Sequence, residues 1–337
     1  MIRKLIFILI GLALILTGMY FLGPHPAHPV YKTELPSLPS HDLFALQQYI
    51  YGHENNDQPI KPGNEAMIVW ATDSVHTKTP YAIVYLHGFS ASHEEGNPIH
   101  REIAKKYGMN LYLSRLAGHG KSVQEPLLNF TAEKAWNDAK EAYTVGKELG
   151  NQVILMSTST GGTLSLKLCA EYPEIAAQIL MSPNIAIKDP NSWLLNNPWG
   201  LQIARVVIGS DYRTVSDTTA LYAQYWNNKY RIESLTQLEE LIETTMTPTV
   251  FSKVRQPTLM LYYYKDDKNQ DPVVRVDAML KMYDQLGTPA DSKHKKAVPN
   301  AGDHVLGSSI KSHDLPGVKL EIENFIEETF GIKPKVL

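Results

Sequence analysis

Three side chains in this 337-residue chain have the types and the order that acyl-transfer chemistry needs: Ser159, Asp271 and His304. An unactivated serine is a weak nucleophile. It needs an imidazole to take its proton, and the imidazole needs a carboxylate to fix its tautomer and stabilise the charge it acquires. His304 lies in the polar turn PNAGDHVLGS and Asp271 in KNQDPVV. Each also has a plainer reading: a Ser/Thr/Gly turn is commonly a simple connection, and most of twelve histidines will be solvated. Asp271 also suits the cap of a helix beginning near Pro272. Asp266 and Asp267 compete with it as the acid because they stand nearer the end of the preceding apolar run. Asp271 is preferred because the Pro-Val-Val after it starts the next helix.

The elements around these residues must bring them together. Around Ser159 the stretch QVILMSTSTGGTLSLKLC reads as a buried strand, a tight turn and a helix. That is the context of a nucleophile elbow, where a strained turn exposes a serine oxygen above a sheet. The usual G-x-S-x-G is only partly met, since Ser157 stands at the first glycine, yet it is small enough for a helix to approach. A second turn, His87-Gly88-Phe89-Ser90, follows the apolar run YAIVYL directly. A tetrahedral oxyanion needs backbone N–H donors, and the loss of one costs about 2.7–4 kcal/mol. The amides of Phe89 and Thr160 are assigned that role. His87 is read as shaping the loop, and His119, in Ala117 to Ser122, as bracing the site.

The wider pattern alternates. Apolar runs at 66–71, 81–86, 110–113, 153–156, 178–182, 257–264 and 296–298 are separated by helical patterns at 99–107, 131–149, 273–286 and 316–330. Strands alternating with helices predict a parallel sheet with helices on both faces. The alternation breaks across residues 184–255, which are rich in Trp and Tyr and too long for a loop, so a helical cap is expected there. The core then comprises 63–183 and 256–337. At the N-terminus, Arg3 and Lys4 precede about eighteen uncharged residues, a span of about 27 Å when helical and close to bilayer thickness. Residues 1–22 are read as a signal-anchor or signal peptide, with the anchor favoured and the following domain placed outside the cytoplasm, or exported if the segment is cleaved. Residues 23–62 are expected to be a linker with one surface helix. The single cysteine, Cys169, allows no intramolecular disulfide, and a net charge of −3 without a basic run excludes a nucleic-acid footprint. His25 and His28 have no carboxylate or cysteine at ligand spacing, so no metal site is expected.

Taken together, His87-Gly88, Arg115 with Gly118-His119-Gly120-x-Ser122, the S-x-S-x-G elbow, Asp271-x-Val-Val and Gly302-Asp303-His304 resemble the α/β-hydrolase superfamily. More narrowly, the chain is similar to the branch holding monoacylglycerol lipases, lysophospholipases and serine aminopeptidase-like hydrolases, over roughly residues 60–330. The resemblance implies an eight-stranded, mostly parallel sheet with the cap inserted after the sixth strand, no cofactor, and an acyl-enzyme mechanism. The expected activity is hydrolysis of a carboxylic ester, possessing an apolar acyl group such as a lipid or monoglyceride. A serine aminopeptidase-like peptidase or an acyltransferase would use the same residues, and a non-catalytic envelope binding module is the alternative outside enzymes.

Overall fold

The computed structural model describes residues 2–56, 59–72 and 76–335. Side-chain alternation along the strands decides the layering. Ala82, Val84 and Leu86 point to one face of the sheet with Val153 and Leu155, while Ile83, Tyr85, Ile154 and Met156 point to the other. Both sets are apolar and buried, so helices must cover both faces. The sheet has seven strands among the described residues, where eight are predicted. They are β1 (Met67–Val69), β2 (Thr79–Leu86), β3 (Asn110–Leu113), β4 (Gly150–Thr158), β5 (Ala177–Met181), β8 (Thr258–Tyr262) and β9 (Lys293–Ala297), in the order β1-β3-β2-β4-β5-β8-β9. Only β1 runs antiparallel to its neighbour. A separate antiparallel pair, β6 (Tyr212–Thr214) and β7 (Lys229–Arg231), lies outside the sheet.

On one face pack α2 (Leu43–Asn56), α4 (Ala132–Leu149), α5 (Thr160–Glu171), α8 (Glu233–Thr245), α9 (Pro248–Lys253) and α10 (Val276–Gln285); on the other pack α3 (Ile99–Tyr107) and α11 (Leu315–Phe330). The remaining helices are α1 (Ile2–Phe21), α6 (Gly200–Ile208) and α7 (Ala220–Tyr225). Local signals set several bounds. Thr131 caps α4 by accepting the Lys134 amide, and Asp314 caps α11 by accepting that of Gly317.

Residues 184–255 follow the fifth strand of the chain and are not purely helical, since they carry the β6–β7 pair. Three-residue strands with polar ends, YRT and KYR, leave no alternation to read. Leu238, Leu241, Ile242 and Phe251 of this insertion belong to the same apolar cluster as the sheet and α4. Residues 23–40 also do more than link. Tyr31, Leu35 and Leu38 pack on that cluster, while the carbonyls of Lys32, Thr33 and Glu34 accept from Trp136, Tyr172 and Lys140. The apolar α1 is long enough to cross a membrane and has no buried residue.

Candidate active site

The parallel register brings the C-terminal ends of the strands to one edge: Leu86 stands opposite Ser157, Thr158 opposite Met181, and Met181 opposite Leu261. Every predicted site residue follows one of these ends. Ser159 comes directly after β4 with φ 54° and ψ −118°, a conformation that costs a non-glycine residue roughly 1–3 kcal/mol. Neighbouring backbone holds it there: its amide donates to the Met181 carbonyl at 3.0 Å, and its carbonyl accepts the amides of Gly162 and Asn184 at 2.8 and 2.9 Å. A β-carbon on Gly161 would meet the Leu86 carbonyl oxygen at 2.0 Å, so only glycine lets α5 start this close to β2. Ser157, the departure from the usual pattern, is buried and donates its hydroxyl to the Ile179 carbonyl at 3.3 Å.

Asp271 is reached by a detour. After β8 the chain makes a short excursion closed by a bridge between Tyr264 and Gln270, and the Asp271 amide donates to the Tyr263 carbonyl at 3.0 Å, back at the strand end. Its Oδ1 accepts the amides of Val273 and Val274 at 2.8 and 2.9 Å, and Oδ2 faces His304 Nδ1 at 2.7 Å. The residue is therefore not the cap of α10, which begins at Val276 with Arg275 at its N-cap. The Pro-Val-Val segment forms an Asx turn that occupies one carboxylate oxygen and leaves the other for histidine. Asp266 and Asp267 lie on the exposed excursion, tied to Asn269 and Tyr264.

His304 is buried, and its Nε2 has no protein partner among the described residues. Burial opposes a charge on the ring, but the charge and hydrogen bond of Asp271, helped by Glu95 and Asp303, raise its pKa above the ordinary value. Burial likewise opposes the charge of Asp271, and His304 with the two amides overcomes it, so its carboxyl is held below the usual range.

The Phe89 amide makes no hydrogen bond among the described residues. The Thr160 amide opens α5, with no helical carbonyl behind it. His87 donates to the Gly88 carbonyl from Nδ1 at 2.8 Å and accepts the Leu116 amide on Nε2 at 3.0 Å. Burial lowers its pKa to about 4, which keeps it a neutral loop-shaping residue. His119 lies beside it, with its ring edge-on to Phe89 at 5.7 Å, and burial holds it neutral too.

Sequence reasoning missed Glu95. This buried carboxylate accepts the Gly88 amide on Oε2 at 2.5 Å and lies under the influence of Trp226, a residue of the insertion. It has no cationic partner within ion-pair distance among the described residues. Burial, opposed by the Gly88 bond, His304 and Trp226, pushes its pKa up to about 7. The point that a Gly88 β-carbon would occupy is 2.8 and 2.9 Å from the two Glu95 oxygens and 2.9 Å from Ser159 Cβ. The width of one missing methyl thus separates this acid from the serine. The signal available in sequence was a Glu pair, Glu94-Glu95, so soon after a His-Gly turn at a buried strand end.

A parallel sheet covered on both faces, with a serine on a strained strand-to-helix turn and an Asp–His couple at neighbouring strand ends, defines an α/β-hydrolase. The model of one family within that class, described as serine aminopeptidase, S33, matches residues 77–301, and the chain belongs to that hydrolase family. No curated protein matches the sequence. Among solved structures, one described with LipS and LipT, two metagenome-derived lipolytic enzymes, shares 17% identity. It covers 80% of this chain and 100% of its own, with a TM-score of 0.61. The monoacylglycerol lipase of Paleococcus ferrophilus shares 14% identity over 78% of this chain and 98% of its own, with a TM-score of 0.57. Ferulic acid-bound Est1E from Butyrivibrio proteoclasticus shares 18% over 79% and 95%, with a TM-score of 0.54. At such identities these likenesses speak for the fold.

Proposed function

We propose that the protein is a serine hydrolase of carboxylic esters that works through an acyl-enzyme. Ser159 Oγ attacks the acyl carbonyl while His304 Nε2 takes its proton, and Asp271 holds the imidazolium. The amides of Phe89 and Thr160 donate to the oxyanion, and the alcohol leaves with the proton from His304. Water, deprotonated by His304, then releases the acid and returns the serine. The observation carrying this reading is the Asp271–His304 pair at 2.7 Å, with Nε2 left for a proton, on the same sheet edge as a serine at φ 54°.

Residues 184–255 act as a cap: the Asn227 amide donates to the Ser90 carbonyl at 2.7 Å, and the Tyr230 ring meets Phe89 edge-on at 5.3 Å. These aromatic walls favour an apolar acyl substrate, such as a lipid ester. Residues 1–22 anchor the protein, with Arg3 and Lys4 on the cytoplasmic side and the catalytic body outside it. An acyltransferase would share the first half of the reaction and pass the acyl group to an alcohol. The peptidase reading has one observation behind it, since Glu95, acidic and without a cationic partner, is the kind of group that holds a substrate ammonium.

The test pairs wild type with Ser159→Ala, using a fluorophosphonate probe, nitrophenyl esters of increasing chain length and amino-acid nitroanilides. Labelling and ester turnover in wild type alone are expected. Turnover of nitroanilides without esters would select the peptidase, and equal labelling of the variant would refute Ser159.

A further inference from the structure

Helix α6 has its apolar residues on the outside. Ile203, Val206 and Val207 recur at the i, i+3, i+4 spacing that ordinarily marks a buried face, yet Val206 is 82% and Val207 79% exposed. Trp199, four residues before Ile203, extends the same stripe. No charge interrupts it, because Arg205 is drawn aside into ion pairs with Asp211 at 2.8 Å and Glu233 at 2.7 Å. Elsewhere on the folded body α2 exposes Phe44, Tyr49 and Tyr51 without an i, i+3, i+4 run, while Leu128 and Leu320 stand singly, which is the ordinary state of a protein surface. A continuous stripe on one helix is not.

Its position says what covers it. The Trp199 indole donates to the Met19 carbonyl at 3.0 Å, and the Trp199 amide donates to the Pro24 carbonyl at 2.9 Å. The stripe therefore begins where α1 ends. Tryptophan settles at the boundary between hydrocarbon and water, where its ring is buried and its N–H keeps a partner.

We infer that the outward face of α6, formed by Trp199, Ile203, Val206 and Val207, docks into the surface of the lipid bilayer that α1 enters. This rests on the reading of α1 as a membrane anchor. The segment seated over the oxyanion loop is thereby held at the interface, where an ester dissolved in the membrane can be taken up without crossing water. The bilayer suits the stripe better than a second copy of the chain, since a helix beginning at the anchor's exit already lies at that depth.

The experiment uses the full chain in vesicles of phosphatidylcholine and phosphatidylglycerol, with an NBD fluorophore on Val206→Cys or, as control, on Leu320→Cys of α11. The native Cys169 is buried and stays unlabelled. Doxyl-labelled phosphatidylcholine should quench the label at 206 by more than about twofold, as for an apolar face sunk below the headgroups, and leave that at 320 unchanged. Protein that floats with the vesicles but has its 206 label quenched only by aqueous iodide would overturn the docking and keep the anchor. A 206 label shielded from both quenchers would mean a protein partner and overturn it too. Protein that stays behind in flotation would remove the anchor, and the docking with it.

Discussion

Two buried carboxylates bear on the charge of the same imidazole, and their surroundings give them opposite characters. Asp271 accepts two backbone amides and an imidazole hydrogen bond, and is held ionised. Glu95 accepts a single amide, and burial, the dominant influence, pushes its pKa up to about 7. The number and aim of the donors, more than depth, separate an acid that stays charged from one that does not.

The comparison breaks most sharply at Asp271. Asp271→Asn is expected to lower kcat by about 10⁴, the loss seen when an orienting acid in a triad is neutralised with its shape kept. Ester turnover within tenfold of wild type would place the acid elsewhere. The next largest effect belongs to Gly88→Ala, which forces a methyl between Glu95 and Ser159. If the oxyanion loop moves to admit it, kcat should fall about 10²–10³ with little change in KM. An unchanged kcat would show that the loop absorbs the methyl without consequence.

Glu95→Gln sharpens the contrast through pH. Proton abstraction uses the neutral ring, so activity rises as pH climbs through the raised pKa of His304. The Glu95 charge is one of the groups that favour the imidazolium, alongside Asp271 and Asp303. Without it the ring deprotonates more easily, and the acid limb of the kcat/KM profile moves to lower pH, with less than about a tenfold change in kcat on the plateau. A limb that stays put or moves upward would remove Glu95 from the electrostatics of the site. The smallest effect is predicted for Asp266→Asn, an exposed change expected to leave kcat within about twofold.

The same contrast explains what the sequence disclosed. Ser159 and His304 stand out in the sequence as candidates because each lies in a turn flanking an apolar run, and β3 and α3 have the bounds expected from it. Asp271 was preferred for an incomplete reason: the turn after it does not open the helix but takes up one of its oxygens. Glu95 was invisible because its character comes from Gly88, Trp226 and His304, partners brought together only by the fold. The packed course of residues 23–40 escaped for a similar reason, since proline-rich chain without periodicity gives no sign that its carbonyls will find partners on α4 and at the C-cap of α5.

That course has a mechanical consequence. Between the end of α1 and the first strand the chain is pinned at Pro24 by Trp199, at His28 by Glu240, at Tyr31 by Thr244, and then by three successive carbonyls. Such an arrangement removes the slack that gives a tethered enzyme its sphere of reach. With α1 in the bilayer, as proposed above, a body strapped in this manner searches a plane rather than a volume. For an ester dissolved in that membrane, the rate of encounter then follows the number of substrate molecules per area, and dilution of the surrounding medium leaves it unchanged.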